Sequence, residues 1–120
     1  MAYFFNENQE MIRVLARKFA DSRVKPLRAG LDMKSKFPMS LVAELGKLDF
    51  FRVFIPQNYD GLEYGVTELC IIIEEISKVC GGIGTCYAVN ALGTYPIIKF
   101  GTPEQKKKYL PDIASGKKLT

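Results

Sequence analysis

Apolar residues recur at helical spacing in several segments of this chain, and Pro or Gly separates one segment from the next. The clearest segment runs from Val66 to about Cys80, and its apolar positions on one side are Leu69, Ile72, Ile73, Ile76 and Cys80. Residues three and four apart share one face of an α-helix, so this spacing predicts an amphipathic helix with a buried face. Glu74 and Lys78 form an i,i+4 ion pair on the other side. We therefore expect an all-α fold, an orthogonal or up-down bundle of about five to six helices.

Capping residues and prolines indicate where the first two helices begin and end. Asn6 or Asn8 can cap a first helix, which Pro26 should end or kink. Its apolar positions are Ile12, Leu15 and Phe19. Pro38 is placed to open a second helix, after a connector at residues 30–37. The apolar positions of that helix are Leu41, Val42, Leu45 and Leu48.

Glycines divide the second half of the chain. Gly81-Gly82 breaks the helix that begins at Val66, and a fourth helix covers roughly residues 83–92. Gly93 can supply the left-handed position that ends this helix. Residues 95–100 are then predicted to form a short apolar helix or turn.

The last predicted helix has a strong start signal. Thr102-Pro103-Glu104 combines an N-cap, a Pro at the first helical position and an acid in the first turn. We expect this helix to end before Pro111 and the small, polar tail at residues 114–120 to lack a terminating structure.

Residues 50–55 are aromatic and β-branched, a composition that alone favours a strand. They have no partner strand, and Pro56 ends the segment, so we interpret it as an extended buried connector. A loop follows, with a turn predicted at Asp60-Gly61.

The amino-acid composition excludes several classes of site. The chain has 120 residues with no His, no Trp and three Cys, which excludes a His-based catalytic triad, a zinc site with His ligands and a disulfide-stapled miniprotein. Cys70, Cys80 and Cys86 lack CxxC spacing, and we expect reduced, mostly buried thiols in an intracellular protein. The net charge is +4, and the run Lys106–Lys108 is interpreted as a solvated helix face rather than a nucleic-acid site. The longest apolar run falls far short of the roughly 20 residues that span a bilayer.

The remaining polar groups are not arranged for catalysis. Glu74 and Glu75 point in directions about 100° apart on a helix, so structural ion pairing is favoured over an acid/base pair. Residues 81–84 are glycine-rich but follow a helix rather than a strand, which favours close helix packing or a gap for a ligand over a phosphate loop. Cys86 has no His to activate it and is interpreted as a packed thiol.

One predicted helix face has the size and polarity of a ligand-contact surface. Thr85, Ala88, Val89 and Leu92 lie at i, i+3, i+4 and i+7, and they are small or medium apolar residues with one hydroxyl. Core packing explains such a face, and so does the wall of an apolar ligand channel. The residues alone leave both interpretations open.

Short motifs recur in a recognisable order along almost the whole chain. They include Ala16-Arg17-Lys18-Phe19-Ala20, Lys25-Pro26, Phe37-Pro38, Phe54-Ile55-Pro56, Tyr59-Asp60-Gly61-Leu62, Glu74-Glu75-Ile76-Ser77, Asn90-Ala91-Leu92-Gly93 and Ala114-Ser115-Gly116-Lys117. The most specific stretch is Gly101 to Pro111, with the pattern Gly-Thr-Pro-Glu-Gln-Lys-x-x-Tyr-Leu-Pro. In this order the motifs resemble the N-terminal helical domain of acyl-CoA dehydrogenases.

The resemblance implies a parent enzyme that uses FAD to remove two hydrogens across Cα–Cβ of an acyl-CoA, giving the 2-enoyl-CoA. Electrons then pass to an electron-transferring flavoprotein. The family fold has an N-terminal helical domain, a middle β domain and a C-terminal helical bundle that carries the catalytic glutamate. Residues 1–120 match only the first domain, so the resemblance implies no catalytic residue and no metal ligand here, no tight FAD binding, and no activity of this domain alone.

The resemblance also implies a substrate-binding role for the helix at residues 83–92. The matching positions of the acyl pocket are Gly84, Thr85, Ala88, Val89 and Leu92. Four of these are the face identified from spacing, so the resemblance favours the pocket wall over core packing.

Further expectations concern the parent protein. We expect acyl-CoA as substrate, no nucleic-acid partner, no membrane span and a homo-oligomer at full length. The start Met1–Phe5 lacks an Arg/Ser-rich presequence, which favours the bacterial cytoplasm over the mitochondrial matrix. Two alternatives stay open: an acyl-CoA oxidase or flavin monooxygenase of the same fold, and a stand-alone helical interaction module without catalysis.

Overall fold

The computed structural model describes residues 4–120, which form six α-helices. They are α1 (Glu7–Phe19), α2 (Arg28–Lys34), α3 (Met39–Lys47), α4 (Val66–Ser77), α5 (Gly81–Phe100) and α6 (Pro103–Ala114). Residues 4–120 contain no strand, so the predicted all-α bundle is confirmed. The expectation about the chain start falls largely on Met1–Tyr3, which lie outside the described residues.

Helix α1 begins at its predicted cap. Asn6 Oδ1 accepts a hydrogen bond from the Gln9 N–H at 2.8 Å, and Gln9 Oε1 accepts one from the Asn6 N–H at 3.0 Å. This reciprocal pair is a capping box. The chain continues through one π-helical turn at Ala20–Val24 and leaves the helix before Pro26, as predicted. Of the three apolar positions at helical spacing, Phe19 is buried, whereas Leu15 is 40% exposed.

Helices α3 and α4 also follow the sequence pattern. Helix α3 starts at Met39, directly after Pro38, and α4 starts at Val66. The buried positions that the spacing predicted are Leu41, Val42, Leu45, Leu69, Ile72 and Ile76. Leu48, Ile73 and Cys80 are only half-buried, and α4 also buries Ile71 and Glu75, so periodicity identified the inner faces in part.

Helix α2 is a difference from the predicted connector at residues 30–37. Residues 28–34 are helical, although none of them is fully buried. Gly30 weakens a helix by about 1 kcal/mol relative to Ala, but its neighbours are good helix formers. Arg28 Nη1 also donates to the Val79 carbonyl at 2.8 Å, which ties α2 to the end of α4. Ser35, in the left-handed region at φ 47°, ends the helix.

The segment at residues 50–55 is buried as predicted, but it is not extended. It begins with a 3-10 turn at Phe50–Arg52 and folds against the following loop. The Leu62 N–H donates to the Arg52 carbonyl at 2.8 Å, and the Tyr64 N–H donates to the Val53 carbonyl at 2.8 Å. The loop thus supplies the backbone partners that a second strand would have supplied.

The predicted turn at Asp60-Gly61 is present. Asp60 adopts the left-handed region at φ 65°. A Cβ at Gly61 would lie 1.7 Å from the Ile55 carbonyl oxygen, so only glycine fits.

Helix α5 is longer than the sequence predicted. It runs unbroken from Gly81 to Phe100, so the predicted end at Gly93 and the separate element at residues 95–100 are wrong. Gly93 is helical, and its missing side chain leaves room for Thr120, whose Cβ would lie 2.7 Å from a Cβ at position 93. Packing of the turn beyond Pro96, where Ile97 and Ile98 touch the core, holds the helix together despite the proline.

Helix α6 starts as predicted and ends later. Gln105 N–H donates to Thr102 Oγ1 at 3.2 Å, and Thr102 N–H donates to Gln105 Oε1 at 2.9 Å. The helix passes through Pro111, because Leu110, Ile113 and Ala114 are all buried and anchor its last turn. The predicted end before Pro111 is therefore wrong. The tail is also structured: Gly116 turns the chain at φ 78°, and the Lys117 N–H donates to the Asp112 carbonyl at 2.9 Å.

Tyr87 lies at the centre of the core. Its ring stacks on Phe51 at 5.8 Å between centroids and meets Phe54 edge-on at 6.3 Å. Its hydroxyl donates to the Phe50 carbonyl at 2.7 Å, and burial raises the Tyr87 pKa well above its usual range. Tyr87 is thus a satisfied core residue that fixes α5 against the segment at residues 50–55.

The cysteines are less buried than the sequence suggested. Cys70 is exposed, and Cys80 and Cys86 are half-buried; all three thiols are free. The prediction of mostly buried thiols is therefore wrong. Burial raises the Cys86 pKa, which opposes a role as nucleophile. Lys107 and Lys108 are exposed on α6, as a solvated face requires.

Candidate functional site

Helix α5 has an inner and an outer side. Its inner side enters the core through Ile83, Tyr87 and Ala91, which are at most 3% exposed. The predicted face Thr85, Ala88, Val89 and Leu92 is on the outer side: Val89 is 44% and Leu92 71% exposed, Thr85 is exposed, and Ala88 is half-buried. Within the described part of the chain these four residues are not core, so the core-packing interpretation of this face is wrong. We call them the outer face of α5.

Gly84 does not belong to the outer face. It is buried against α4, and a Cβ there would lie 2.0 Å from Ser77 Oγ and 3.3 Å from the Ser77 Cα. The structure therefore brings four of the five predicted site residues together and places Gly84 at the α4–α5 contact. This matches the interpretation of residues 81–84 as a close helix-packing segment.

The outer face carries no titratable side chain. The Thr85 hydroxyl is already used, since it donates to the Gly81 carbonyl at 2.9 Å. The surface that remains is apolar and small in side-chain volume. Such a face can bind an apolar chain by removing it from water, at about 25 cal/mol per Å² buried, but it cannot transfer protons.

A buried carboxylate on α4 was not predicted. The Glu75 side chain is 3% exposed, and it contacts three cations: Lys78 Nζ at 2.9 Å, Arg17 Nε at 3.0 Å and Arg13 Nη1 at 3.9 Å. Burial alone would raise the Glu75 pKa, but the hydrogen bonds from Lys78 and Arg17 outweigh burial and lower it. Glu75 therefore joins α4 to α1 as an ion pair, as the sequence analysis favoured for the Glu74-Glu75 pair.

Two further polar residues lie inside α5 and were also not predicted. Asn90 and Thr94 are buried, and both contact the chain end at Thr120. No pattern marked them in the sequence, because Asn and Thr in a helix are ordinarily exposed. Among residues 4–120 there is no cluster of His, Cys, Asp or Glu that could hold a metal ion. No helix in that range combines the length and hydropathy needed to cross a bilayer.

A family model describes the same arrangement of motifs. The model for the N-terminal domain of acyl-CoA dehydrogenases matches residues 6–117, nearly the whole chain. This chain belongs to the acyl-CoA dehydrogenase family.

A curated relative and two solved structures agree with this assignment. The short-chain specific acyl-CoA dehydrogenase of Clostridium acetobutylicum is 35% identical over 99% of this chain and 32% of its own length. A chain in the structure of the electron transferring flavoprotein of Acidaminococcus fermentans shares 32% identity at a TM-score of 0.91, covering 99% of this chain and 32% of that one. The acyl-CoA dehydrogenase of Bacillus anthracis complexed with FAD shares 30% identity at a TM-score of 0.91, covering 100% of this chain and 21% of that one. The present chain thus spans about a third or less of the length of these three proteins.

The family implies FAD, but neither the glycine-rich start of α5 nor its outer face forms a phosphate cradle. The glycine-rich segment at residues 81–84 packs against α4, and Ser77 occupies the space beside Gly84. The outer face of α5 offers no donor groups for a phosphate. The outer face of α5 is thus an apolar surface on a packed helix.

Proposed function

We propose that residues 1–120 are the N-terminal helical domain of a flavin-dependent acyl-CoA dehydrogenase and that the outer face of α5 lines its acyl pocket. The reaction of the whole enzyme is the α,β-dehydrogenation of an acyl-CoA to the 2-enoyl-CoA. The middle β domain and the C-terminal helical bundle, with the catalytic base, then lie outside this chain. The domain is inactive alone and binds no FAD tightly.

The observation that carries this proposal is the exposure of the outer face. Leu92 and Val89 are apolar yet open to solvent, on a helix whose other side is fully packed. An apolar face on such a firmly held helix is typical of a surface that something else covers. An acyl chain covers it with no requirement for hydrogen bonds, which fits the absence of free polar groups on the outer face.

Each residue of the outer face has a distinct task in this proposal. Ala88 is small and leaves space for the acyl chain, whereas Val89 and Leu92 supply bulk that limits its path. Gly84 keeps α5 close to α4 and so sets the depth of the wall rather than touching the substrate. Chemistry that needs a proton acceptor or a hydride acceptor comes from outside this domain.

The proposal extends to partners and location. We propose acyl-CoA as substrate, an electron-transferring flavoprotein as electron acceptor and a homo-oligomer as the working form. The similarity to a chain in an electron transferring flavoprotein structure supports the acceptor. Location in the bacterial cytoplasm is supported by the similarity to the clostridial enzyme, with the mitochondrial matrix as the alternative.

Anaerobic flavin reduction tests the proposal. The protein encoded by the complete reading frame should carry FAD, and an acyl-CoA should bleach the flavin absorbance without oxygen, while the 120-residue chain alone should do neither. Slow reoxidation by oxygen and fast reoxidation by an electron-transferring flavoprotein identify a dehydrogenase. Rapid reoxidation by oxygen identifies an acyl-CoA oxidase or a monooxygenase instead. A reading frame that ends at Thr120 would contradict the proposal and favour the interaction module.

A further inference from the structure

Asn90 holds the backbone at Thr120 against α5. Asn90 Oδ1 accepts a hydrogen bond from the Thr120 N–H at 2.8 Å. The Asn90 carbonyl accepts one from the Thr120 hydroxyl at 2.7 Å and another from the Thr94 hydroxyl at 2.6 Å. Asn90 itself is only 2% exposed, whereas Thr120 lies at the surface, so the bonds join a buried side chain to an exposed residue.

Gly93 makes this contact possible. A Cβ at Gly93 would lie 2.7 Å from Thr120 Cβ and 2.8 Å from Thr120 Oγ1, and 3.3 Å from its carbonyl carbon. Thr120 therefore fits against α5 only because position 93 has no side chain. A glycine inside a helix weakens the helix, and the close approach of Thr120 is the physical reason for this one.

The Asn90 side chain has one hydrogen-bonding group left over. Its Nδ2 is buried and has no hydrogen-bond partner among residues 4–120. The amide cannot turn around to solve this, because Oδ1 must face the Thr120 N–H. Buried donors in native proteins are nearly always paired, so an isolated and fixed donor indicates an acceptor on something that packs here.

We infer that Asn90 is a positioning residue that fastens the chain at Thr120 to the helix bearing the acyl wall, and that its Nδ2 donates to a backbone carbonyl of the following domain. The inference rests on the proposed function, because it requires a domain that follows the helical one. In this arrangement the chain at Thr120 and the outer face of α5 move as one body. The distance between the acyl wall and the next domain is then set by Asn90 and Gly93.

We call the hydrogen bonds between Thr120 and Asn90 the clamp. Hydrogen exchange of the Thr120 amide in the 120-residue chain tests whether the clamp forms. The Thr120 amide in the wild type should exchange at least about tenfold more slowly than in an unfolded chain, as a buried hydrogen bond predicts. Gly93→Ala should remove this protection, because it displaces Thr120 and leaves Asn90 unchanged. Gly81→Ala is the matched control on the same helix, since a Cβ at Gly81 meets nothing within 4 Å. An unprotected Thr120 amide in the wild type, or equal protection in the two variants, would overturn the clamp.

Thr120→Val supplies a variant that does not disturb the core. It keeps the Thr120 N–H and the side-chain shape but removes the hydroxyl that donates to the Asn90 carbonyl. Thr120 is exposed, so the fold should persist. We expect intermediate protection of the Thr120 amide, and protection equal to the wild type would show that the hydroxyl takes no part in the clamp.

Kinetics of the complete enzyme test the positioning role. Gly93→Ala should lower kcat/KM by about 10- to 100-fold, as misplacement of a reacting group does, and should shift the flavin absorbance. Gly81→Ala should match the wild type. Asn90→Asp keeps the acceptor for the Thr120 N–H but loses the Nδ2 donor, so it should lower kcat/KM while the Thr120 amide stays protected.

The outcomes separate the inference from the proposed function. If the wild type oxidises acyl-CoA and Gly93→Ala behaves like Gly81→Ala, the positioning role is wrong and the proposed function stands. If Asn90→Asp has the same kcat/KM as the wild type, the proposed hydrogen bond from Asn90 Nδ2 to the following domain is wrong. If the wild type oxidises no acyl-CoA, the proposed function fails, and the exchange of the Thr120 amide still decides whether the clamp exists.

Discussion

The contact between α1 and α4 differs from helix α5 in how fully its buried polar groups are paired. Between α1 and α4 the polar groups meet partners within the chain, and Glu75 is the clearest case, with Arg17 and Lys78 both within 3.0 Å. On α5 the partners are incomplete: Leu92 is apolar but 71% exposed, and Asn90 Nδ2 is buried without a partner among residues 4–120. The buried charge between α1 and α4 is thus paired within the domain, whereas the buried amide nitrogen of Asn90 on α5 is not paired among residues 4–120.

The contrast distinguishes residues that stabilise the domain from exposed residues that do not. A buried ion pair that is fully hydrogen-bonded holds helices in one arrangement and does not need a ligand. An exposed apolar face adds little to the stability of the isolated domain, so its residues can be changed with little effect on folding. Three pairs of substitutions test this difference between the two regions.

The largest difference should come from truncating one apolar side chain in each region. Ile72→Ala, at a fully buried position on α4, should lower the free energy of unfolding by about 2–5 kcal/mol, because it leaves a cavity. Leu92→Ala, on the outer face of α5, should change it by less than about 0.5 kcal/mol. Urea denaturation of the two variants provides the measurement. Equal losses would mean that the outer face is core after all.

A smaller effect should follow from neutralising the buried carboxylate. Glu75→Gln should cost about 1–3 kcal/mol at pH 7, since it weakens charge-assisted hydrogen bonds from Arg17 and Lys78. Glu44→Gln is the control, because its pair with Arg23 lies at the surface and is worth about 0–1 kcal/mol. Urea denaturation at pH 7 compares them, and a larger loss for Glu44→Gln would contradict the assigned role of Glu75.

The same ion pair predicts a pH dependence. The folded-state Glu75 pKa lies below its ordinary value, so its contribution to stability is present above the unfolded carboxyl pKa of about 4.3. That contribution is lost as the pH falls through the lowered pKa. The wild type should therefore lose more stability than Glu75→Gln between pH 5 and the acid transition, as unfolding titrations at several pH values would show. Parallel curves for the two proteins would count against an ionised Glu75.

The smallest effect should come from the α4–α5 contact. Gly84→Ala should cost about 1–2 kcal/mol, since its Cβ would press on Ser77, whose backbone can yield only slightly. Gly81→Ala should be neutral or mildly stabilising, because the space there is open. Thermal melts of both variants test this. A Gly84→Ala variant with an unchanged Tm would contradict close packing of Gly84 on Ser77 and would leave Gly84 as a candidate ligand contact.

Local signals predicted the helix starts well. The N-caps at Asn6 and Thr102 were predicted, and in the structure each forms a capping box with the residue three positions on. The ends of α5 and α6 were not predicted, because tertiary packing decides them. Gly93 and Pro111 favour a helix end locally, but Thr120 fills the space beside one and buried Ile113 anchors the turn after the other.

The sequence predicted which residues of the candidate site share a helix face, but not what surrounds that face. Periodicity grouped Thr85, Ala88, Val89 and Leu92 correctly, yet it could not tell an inner face from an outer one. Gly84 was added to these four by the family resemblance, not by spacing, and the neighbour that places it at the α4–α5 contact is Ser77 on another helix. Glu75 was unpredictable for the same reason: Arg17 lies 58 residues away in the sequence.

The acyl-chain-length profile of the complete enzyme tests directly whether the outer face of α5 lines the acyl pocket. Ala88→Trp fills the space that we assign to the acyl chain, so kcat/KM should shift toward shorter acyl-CoA substrates. Met33→Trp is the control, at a position on α2 that is 85% exposed, and it should leave the profile unchanged. A profile of Ala88→Trp that coincides with the wild type would contradict the assignment of the outer face of α5 as an acyl wall.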